Sequence, residues 1–293
     1  MLQSLVQNLT FGILIGALYG LAAVGLSLVF GVTKFLNVAH GELLMFGGYA
    51  SFWAFTLLGI DPFLSLPLTI VFLLLMGLVI YKLLFARMVK LSEGTKIQNT
   101  LLVGFGLSLI LQNLALRFWT ADTRGITTFY SGRVLTLLGV RFPIVRVASL
   151  VIAFVVILGI DLFLRRTYTG KALRATVENW EVATLMGIDI QRVYLLSFVM
   201  GAALAGVAGA LVSVGYSIDP AMGMSWTLKS LVVMVLGGLG SLTGTFVGGI
   251  LLGVTESATG YFLSLTYKEV VGLVLFVLIL IFRPQGLFGT QEG

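Results

Sequence analysis

Residues 8–31 have the sequence NLTFGILIGALYGLAAVGLSLVFG, which contains no charged side chain. A helix needs about 20 apolar residues to cross the hydrocarbon core of a bilayer, so this stretch predicts a transmembrane helix. Its glycines Gly12, Gly16 and Gly20 recur every four residues and therefore lie on one helix face. Small residues at this spacing let backbones approach closely in lipid, so the face is predicted to pack within a helix bundle. The same spacing recurs later in the chain, at Gly201, Ala205 and Gly209, at Gly244 and Gly248, and at Gly249 and Gly253.

The composition of the whole chain agrees with a membrane protein. Hydrophobic residues make up 58% and charged residues 10% of the 293 residues, whereas a soluble domain carries about 25% charged residues. We therefore predict an all-α polytopic transmembrane helix bundle, a single domain over residues 1–293, in the cell inner (plasma) membrane. Its full-length candidate spans are residues 8–31, 64–85, 97–117, 144–164, 192–214 and 243–264.

Three further apolar stretches are less regular. These are residues 41–59, residues 268–283 and the run 226–238, the last of which is too short for a full crossing. The sequence thus predicts about eight spans, some of them broken or short helices.

The basic residues predict an orientation, because cytoplasmic loops carry an excess of Lys and Arg. Most of them face the cytoplasm if the N-terminus is outside and the C-terminus is cytoplasmic, with 165–191 as the main cytoplasmic loop. The loop 118–143 is then external. It alternates polar and apolar residues around Gly132 and Gly139, which predicts a small hairpin. The first charged residue is Lys34, so the first apolar stretch lacks the basic flank of a cleaved signal peptide.

Several functions are excluded by composition. The chain has no cysteine and one histidine, His40, so disulfides and zinc or di-iron centres are not expected. The net charge of +6 comes from residues beside apolar spans, so no nucleic acid partner is predicted. No nucleophile, base and acid are clustered as an intramembrane enzyme requires.

Two interruptions of the apolar pattern are candidates for a substrate pathway. One covers residues 31–42 and includes Asn37, His40 and Glu42, and the other covers 237–244 and includes Gly237 and Gly238. Interrupted helices in both halves of a transporter commonly mark the solute path. A pair of tight cytoplasmic turns explains the same residues equally well.

Glu256 is the other candidate, since it lies inside the predicted span 243–264. A carboxylate at membrane depth is costly and usually faces a cavity or a partner. It either lines the pathway or pairs with a base such as Lys229, and the sequence leaves both open. His40 beside Glu42 has two similar interpretations, a proton relay or a structural hydrogen bond.

The loop 165–191 contains Glu178, Asn179, Glu181, Ala183 and Gly187. Its positions Val177, Trp180, Ala183 and Thr184 have helical spacing, which predicts a short amphipathic helix that ends at Gly187. Such a helix either docks in a groove of a partner or forms a solvated surface.

The segment EVATLMG, residues 181–187, resembles the cytoplasmic motif of binding-protein-dependent ABC permeases, Glu-Ala-Ala, three residues, Gly. Val182 replaces the middle alanine, and the Leu-Pro that follows in many such permeases is missing, which fits the branched-chain amino acid branch. The stretches 26–31 with 37–42, 235–241 with Gly244, and 282–289 are similar to LivH-type permeases of that branch. The resemblance covers nearly the whole chain.

The resemblance implies a pore subunit of an importer for small amino acids. The implied partners are a LivM-type partner permease, two cytoplasmic ATP-binding subunits, an extracytoplasmic solute-binding protein and the lipid bilayer. By this resemblance Glu178, Asn179, Glu181, Ala183 and Gly187 couple the chain to the ATPase. This chain has no phosphate-binding loop, so ATP and Mg are expected on the partner subunits and no cofactor on this one. The alternative is a secondary carrier driven by H⁺ or Na⁺, which requires a carboxylate such as Glu256 for transport.

Overall fold

The computed structural model describes residues 2–89, 92–137, 139–283 and 285–289. Pro284, in the C-terminal stretch that resembles the permeases, lies outside them. The described chain is all-α apart from one hairpin. Its helices are α1 (Leu2–Thr33), α2 (His40–Leu58), α3 (Leu66–Ile80), α4 (Glu93–Trp119), α5 (Ile144–Arg166), α6 (Tyr168–Glu178), α7 (Trp180–Leu185), α8 (Ile190–Gly215), α9 (Met222–Gly237), α10 (Leu242–Phe262) and α11 (Lys268–Phe282), and its strands are β1 (Val134–Leu137) and β2 (Val140–Pro143).

Five helical segments are long and apolar enough to cross a membrane, namely Gln3–Thr33, Leu66–Met88, Gly94–Trp119, Ile144–Arg166 and Ile190–Gly215. The pair α9 and α10, bent by 116°, counts as a sixth. These numbers refer to the described residues. The predicted all-α polytopic bundle is confirmed, whereas the count of about eight spans is not. One reason is that α11 has 15 residues, fewer than the roughly 20 of a full-length span, so it does not meet that length criterion.

The core of the bundle is built around α1 and α8, whose apolar windows are 83% and 78% buried. The corresponding windows of α3, α4 and α5 are between 22% and 33% buried. A helix that is apolar on every side needs either a protein core or lipid around it. The first two helices therefore form the centre of the bundle, and the other three present apolar faces outward.

The glycine face of α1 packs directly against α10. A Cβ atom added to Gly16 would lie 2.7 Å from the carbonyl oxygen of Gly249, and one added to Gly253 would lie 2.3 Å from that of Gly12. A hydrogen bond of 3.1 Å between the hydroxyls of Ser27 and Thr245 continues the contact. The prediction that the glycine stripe packs within the bundle is confirmed.

The first interruption is an extended segment that enters the bundle. Residues 34–37 have no regular structure, and α2 begins at His40, whose Nε2 lies 2.8 Å from the carbonyl oxygen of Ala22. Ala22 is three helical turns before the end of α1, about 16 Å along its axis. The start of α2 therefore lies deep between other helices, and the alternative of a simple turn is wrong for this interruption.

The second interruption is a tight turn between α9 and α10. Gly238 and Gly240 have φ values of +105° and +83°, which favour glycine. The amide of Ser241 donates to the carbonyl of Gly238, and the amide of Leu287 donates to that of Leu236. The C-terminal stretch thus closes over this turn, as the alternative interpretation of the sequence predicts.

The predicted hairpin is confirmed. Strands β1 and β2 pair antiparallel, with Val134 opposite Pro143 and Leu137 opposite Val140. The Gln3 side chain of α1 donates to the carbonyl of Gly139 at 2.7 Å. The hairpin and the beginning of α1 therefore occupy the same end of the bundle.

Candidate functional site

The loop 165–191 forms two short helices where the sequence predicts one. Asn179 separates α6 from α7, with extended backbone angles, and its Oδ1 accepts hydrogen bonds from the amides of Glu181 and Val182 at 2.9 and 3.0 Å. Asn is among the residues that best cap a helix start, because its side chain replaces missing backbone acceptors. Asn179 therefore fixes where α7 begins, and Glu178 is the last residue of α6.

The end of α7 agrees with the prediction. Gly187 has φ of +83°, and its amide donates to the carbonyl of Thr184 while that of Ile188 donates to Ala183. These two hydrogen bonds end the helix, and the left-handed backbone conformation that they require is easiest for glycine. A Cβ at Gly187 would meet no atom within 4 Å, so the position is restricted by backbone conformation and not by space.

The predicted amphipathic face is only partly correct. Of its four positions, Ala183 is 3% exposed, but Val177, Trp180 and Thr184 are exposed. The buried face of α6 instead consists of Gly170, Ala172, Leu173 and Thr176. The difference arises because the break at Asn179 rotates α7 relative to α6, so one helical period does not continue through both.

The outer side of α7 is apolar. Leu185 and Met186 are 85% and 80% exposed, and Val182 is 53% exposed. We call these three residues the α7 surface. Glu181 lies on the same exposed segment. The patch lies among charged neighbours in the loop 165–191, and exposed apolar clusters of this kind mark interaction sites.

The α6 helix lies close to both interruptions of the bundle. A cavity of about 150 Å³ is lined by Gly31 at the end of α1, by Gly240 in the α9–α10 turn, and by Arg174 and Glu178 of α6. A displacement of α6 would therefore reach the end of α1 and the start of α10 across this cavity.

The candidates in the first interruption are closely packed. His40 is 1% exposed and bonds the backbone of Ala22, while Asn37 accepts from the amide of Ala39 at 3.1 Å. The Glu42 Oε1 accepts from the Ser108 hydroxyl at 3.0 Å. His40 and Glu42 thus have separate partners, which favours the structural interpretation of His40 over the proton relay.

Close backbone packing encloses the same region. A Cβ on Gly223 would lie 2.2 Å from the Glu42 carboxyl carbon, so α9 contacts this acid directly. The amide of Gly41 donates to the Thr227 hydroxyl at 2.8 Å, and that hydroxyl donates to the carbonyl of Val38 at 2.9 Å. The start of α2 is therefore packed tightly against α9 and bonded to α1.

Glu256 forms the ion pair that the sequence left as one of two alternatives. It is 2% exposed, with Lys229 Nζ at 2.8 Å from Oε1 and Lys268 Nζ at 3.3 Å from Oε2. The Tyr19 hydroxyl donates to Oε2 at 2.9 Å. Three helices besides α10 thus supply partners to one buried carboxylate.

Changing Glu256 to glutamine is expected to destabilise the bundle by about 3 kcal/mol, because two lysines then lose their shared carboxylate. The measurement is thermal unfolding in detergent. The control is Glu269→Gln, which removes a carboxylate 3.9 Å from the same Lys229 but 75% exposed, and which is expected to cost less than about 1 kcal/mol. Equal effects of the two changes would contradict a structural role for the buried pair.

Sequence reasoning missed a cleft that is lined in part by Tyr19, Lys229 and Lys268, the partners of Glu256. Its volume is about 410 Å³, and α1 contributes Phe11, Ile15 and Tyr19, which recur every four residues and share one helix face. Arg146, Val212, Tyr216, Ser217, Trp226, Lys229, Ser257, Lys268 and Glu269 complete the lining. Only the spacing in α1 was a usable signal, because the other residues come from distant parts of the chain.

Known proteins resemble this chain over nearly its whole length. A family model described as "Branched-chain amino acid transport system / permease component" matches residues 8–281. The chain is 33% identical to the high-affinity branched-chain amino acid transport system permease protein BraD of Pseudomonas aeruginosa, over 98% of this chain and 96% of that one. It is 30% identical to LivH of Escherichia coli K12, with the same coverage. The probable LivH of Methanocaldococcus jannaschii is 30% identical over 92% of this chain and 88% of its own.

Proposed function

The chain belongs to the family of branched-chain amino acid transport system permease components, and from this premise we propose that it is the pore subunit of an ABC importer for branched-chain or related amino acids. The observation that carries the proposal is 33% identity to a permease named for this substrate class, over 98% of the chain. The solute crosses the membrane beside this bundle, and the energy comes from separate subunits.

Four partners follow from this assignment. A LivM-type partner permease forms the other half of the pathway, two ATP-binding subunits act from the cytoplasm, and a solute-binding protein delivers the amino acid outside. ATP and Mg belong to the ATPases, and this chain is not an enzyme. The lipid bilayer covers the apolar outer faces of α3, α4 and α5.

The α7 surface is proposed as the ATPase contact. A short helix with an exposed apolar side fits a groove on a partner, and here Val182, Leu185 and Met186 provide that side. Glu181 is exposed beside them, whereas Ala183 is buried, so Ala183 positions the segment instead of entering the groove. Glu178 connects the contact to the cavity at Gly31 and Gly240, and closure of the ATPases thereby moves α1 and α10.

We propose nine passes, with the N-terminus outside and the C-terminus cytoplasmic. The passes are α1 to α5 and α8 to α11 of the described chain, of which α9 and α11, with 16 and 15 residues, are shorter than full-length spans. Support comes from the two ends of the bundle. Gln3 bonds the hairpin at one end, while Leu287 bonds Leu236 beside the α9–α10 turn at the other. Termini at opposite ends require an odd number of passes. The same end of the bundle as the C-terminal stretch holds the basic loop with Arg165, Arg166, Lys171 and Arg174. This favours that end of the bundle as the cytoplasmic one.

The proposal is tested by its energy source. The full complex is reconstituted in vesicles, and uptake of labelled leucine is measured with ATP and no ion gradient, then with a gradient and no ATP. An ABC importer is expected to transport only with ATP. Uptake with a gradient alone would overturn the proposal in favour of a secondary carrier. Glu256→Gln is not used for this decision, because the loss of a structural ion pair lowers uptake under either mechanism.

Changing Gly187 to aspartate is expected to lower ATP-driven uptake at least about tenfold, because the α7 end is distorted and a carboxylate enters the ATPase contact. The matched control is Gly59→Asp. Gly59 also has positive φ, +66°, also ends a helix and also has open space around its Cβ, but it follows α2 at the other end of the bundle. If the two variants lose uptake equally, backbone strain explains the effect and the coupling assignment of Gly187 fails.

A further inference from the structure

The cleft beside the Glu256 cluster contains a guanidinium without an acidic partner. Arg146 lies 5.2 Å from the ring centre of Phe11 and 4.8 Å from that of Tyr216. No carboxylate of the described residues lies within 4.0 Å of it. Contact with two aromatic rings holds the guanidinium in place while its N–H donors remain available. A held guanidinium with free donors suits a carboxylate, which it can bind through two parallel hydrogen bonds.

The other charged residues of the cleft differ in how closely they are paired. Lys229 and Lys268 are both committed to Glu256, at 2.8 and 3.3 Å. Glu269 has only a distant contact with Lys229, at 3.9 Å, and is 75% exposed. Among the described residues that line it, the cleft therefore offers Arg146 as the available cation and Glu269 as the available anion.

Part of the lining between these charges is apolar and aromatic. Phe11, Ile15 and Tyr19 line one side, and Val212 and Trp226 line another. The edge of Trp226 packs against the ring of Tyr19 at 5.5 Å between centres, which fixes both rings. The volume of about 410 Å³ corresponds to roughly a dozen water molecules. Apolar walls combined with convergent polar groups are the usual form of a small-molecule site, and this cleft has both.

We propose that this cleft is a binding site for a zwitterionic aliphatic amino acid, with its carboxylate on Arg146, its ammonium towards Glu269 and its side chain against Tyr19 and Trp226. The inference rests on the proposed function, since it names where that importer holds its solute within this subunit. The site lies at the end of the bundle that bears the hairpin, because Arg146 follows β2 directly. In the proposed orientation it therefore receives the solute from outside, before the closely packed segment at His40 and Gly41.

Binding is tested with the full chain, purified with the partner subunits that accompany it, in nanodiscs of zwitterionic lipid. The tryptophans are replaced by 5-fluorotryptophan, and the ¹⁹F resonance of Trp226 is assigned by its loss in Trp226→Phe. Titration with L-leucine is expected to shift this resonance. Arg146→Gln is expected to raise the dissociation constant for L-leucine by roughly tenfold to a hundredfold, because it removes a hydrogen-bonded charge pair.

Two leucine analogues separate recognition from structural damage. 4-Methylpentanoate lacks the ammonium and 3-methylbutylamine lacks the carboxylate. Arg146→Gln is expected to weaken the binding of leucine and 4-methylpentanoate but not of 3-methylbutylamine. Glu269→Gln is expected to weaken the binding of leucine and 3-methylbutylamine but not of 4-methylpentanoate. Arg133→Gln is the control, because Arg133 has a comparable contact, 5.7 Å from the Phe129 ring, outside the cleft. If Arg146→Gln does not fold, the exposed Glu269 variant alone decides.

Three results would overturn the site: no shift of Trp226 with leucine, an equal loss of all three ligands in both variants, or a shift produced by anionic lipid and not by leucine. The last result would assign the cleft to a lipid headgroup. Failure here is distinct from failure of the proposed function. ATP-driven leucine uptake that is unchanged in Arg146→Gln and Glu269→Gln would leave the importer intact and exclude only this site.

Discussion

Replacing Gly249 with leucine is expected to prevent the bundle from folding, with a loss of more than about 3 kcal/mol of stability. A Cβ at this position would lie 2.3 Å from both the Cα and the amide nitrogen of Gly20, and 2.8 Å from the carbonyl oxygen of Gly16. All three atoms belong to the backbone, so no side chain can rotate away. The α1 and α10 helices would have to separate, and the central contact of the bundle would be lost.

The measurement is size-exclusion chromatography of the detergent-solubilised protein, followed by thermal unfolding. Gly159→Leu is the matched control, because Gly159 lies inside α5 and a Cβ there meets no atom within 4 Å. Leucine has a higher helix propensity than glycine, so this control is expected to be neutral or slightly stabilising. A monodisperse Gly249→Leu protein with the unfolding temperature of the wild type would contradict the close packing of α1 on α10.

The α1–α10 contact illustrates what could be predicted from sequence. Glycines spaced by four residues indicate a close helix contact, and both partners carry the pattern, Gly12 to Gly20 in one and Gly249 with Gly253 in the other. The spacing does not say which helices pair. That depends on which faces remain after every other contact is made, and this is a property of the whole bundle.

The interruption at residues 31–42 shows why the pathway residues were harder to predict. Glycine and small polar residues favour turns and broken helices alike. The decision between the two comes from long-range contacts, the His40 ring with Ala22 and the Gly41 amide with Thr227. A sequence pattern records local preferences, so it could name these residues without placing them.

The Glu256 cluster was partly predictable for a similar reason. A lone carboxylate inside an apolar span must find a partner, and Lys229 is the nearest basic residue before it that can lie at membrane depth. The second lysine, Lys268, and the Tyr19 hydroxyl come from helices on either side. The cleft around Arg146 gave still less signal, since its lining comes from several separate stretches of the chain.

Changing Leu185 and Met186 together to aspartate is expected to lower ATP-driven leucine uptake by about a hundredfold while the bundle stays folded. Both side chains are at least 80% exposed in this chain, so their loss removes almost no internal packing. In the proposed complex the same side chains are buried against the ATPase, where a few apolar anchors supply most of the binding energy. Two carboxylates in that contact would also lose their hydration without gaining a partner.

Uptake is measured in vesicles, and ATPase association by co-purification of the tagged permease. The control is Phe129→Asp, which changes a side chain 82% exposed at the hairpin end of the bundle, where no ATPase is expected. Association lost in the double variant and kept in the control would identify the α7 surface as the coupling contact, because both variants place aspartate at apolar positions of similar exposure at different ends of the bundle. If the double variant keeps both association and uptake, the apolar side of α7 needs another explanation. A gradient-driven carrier predicts that outcome, since nothing cytoplasmic would then need to dock there.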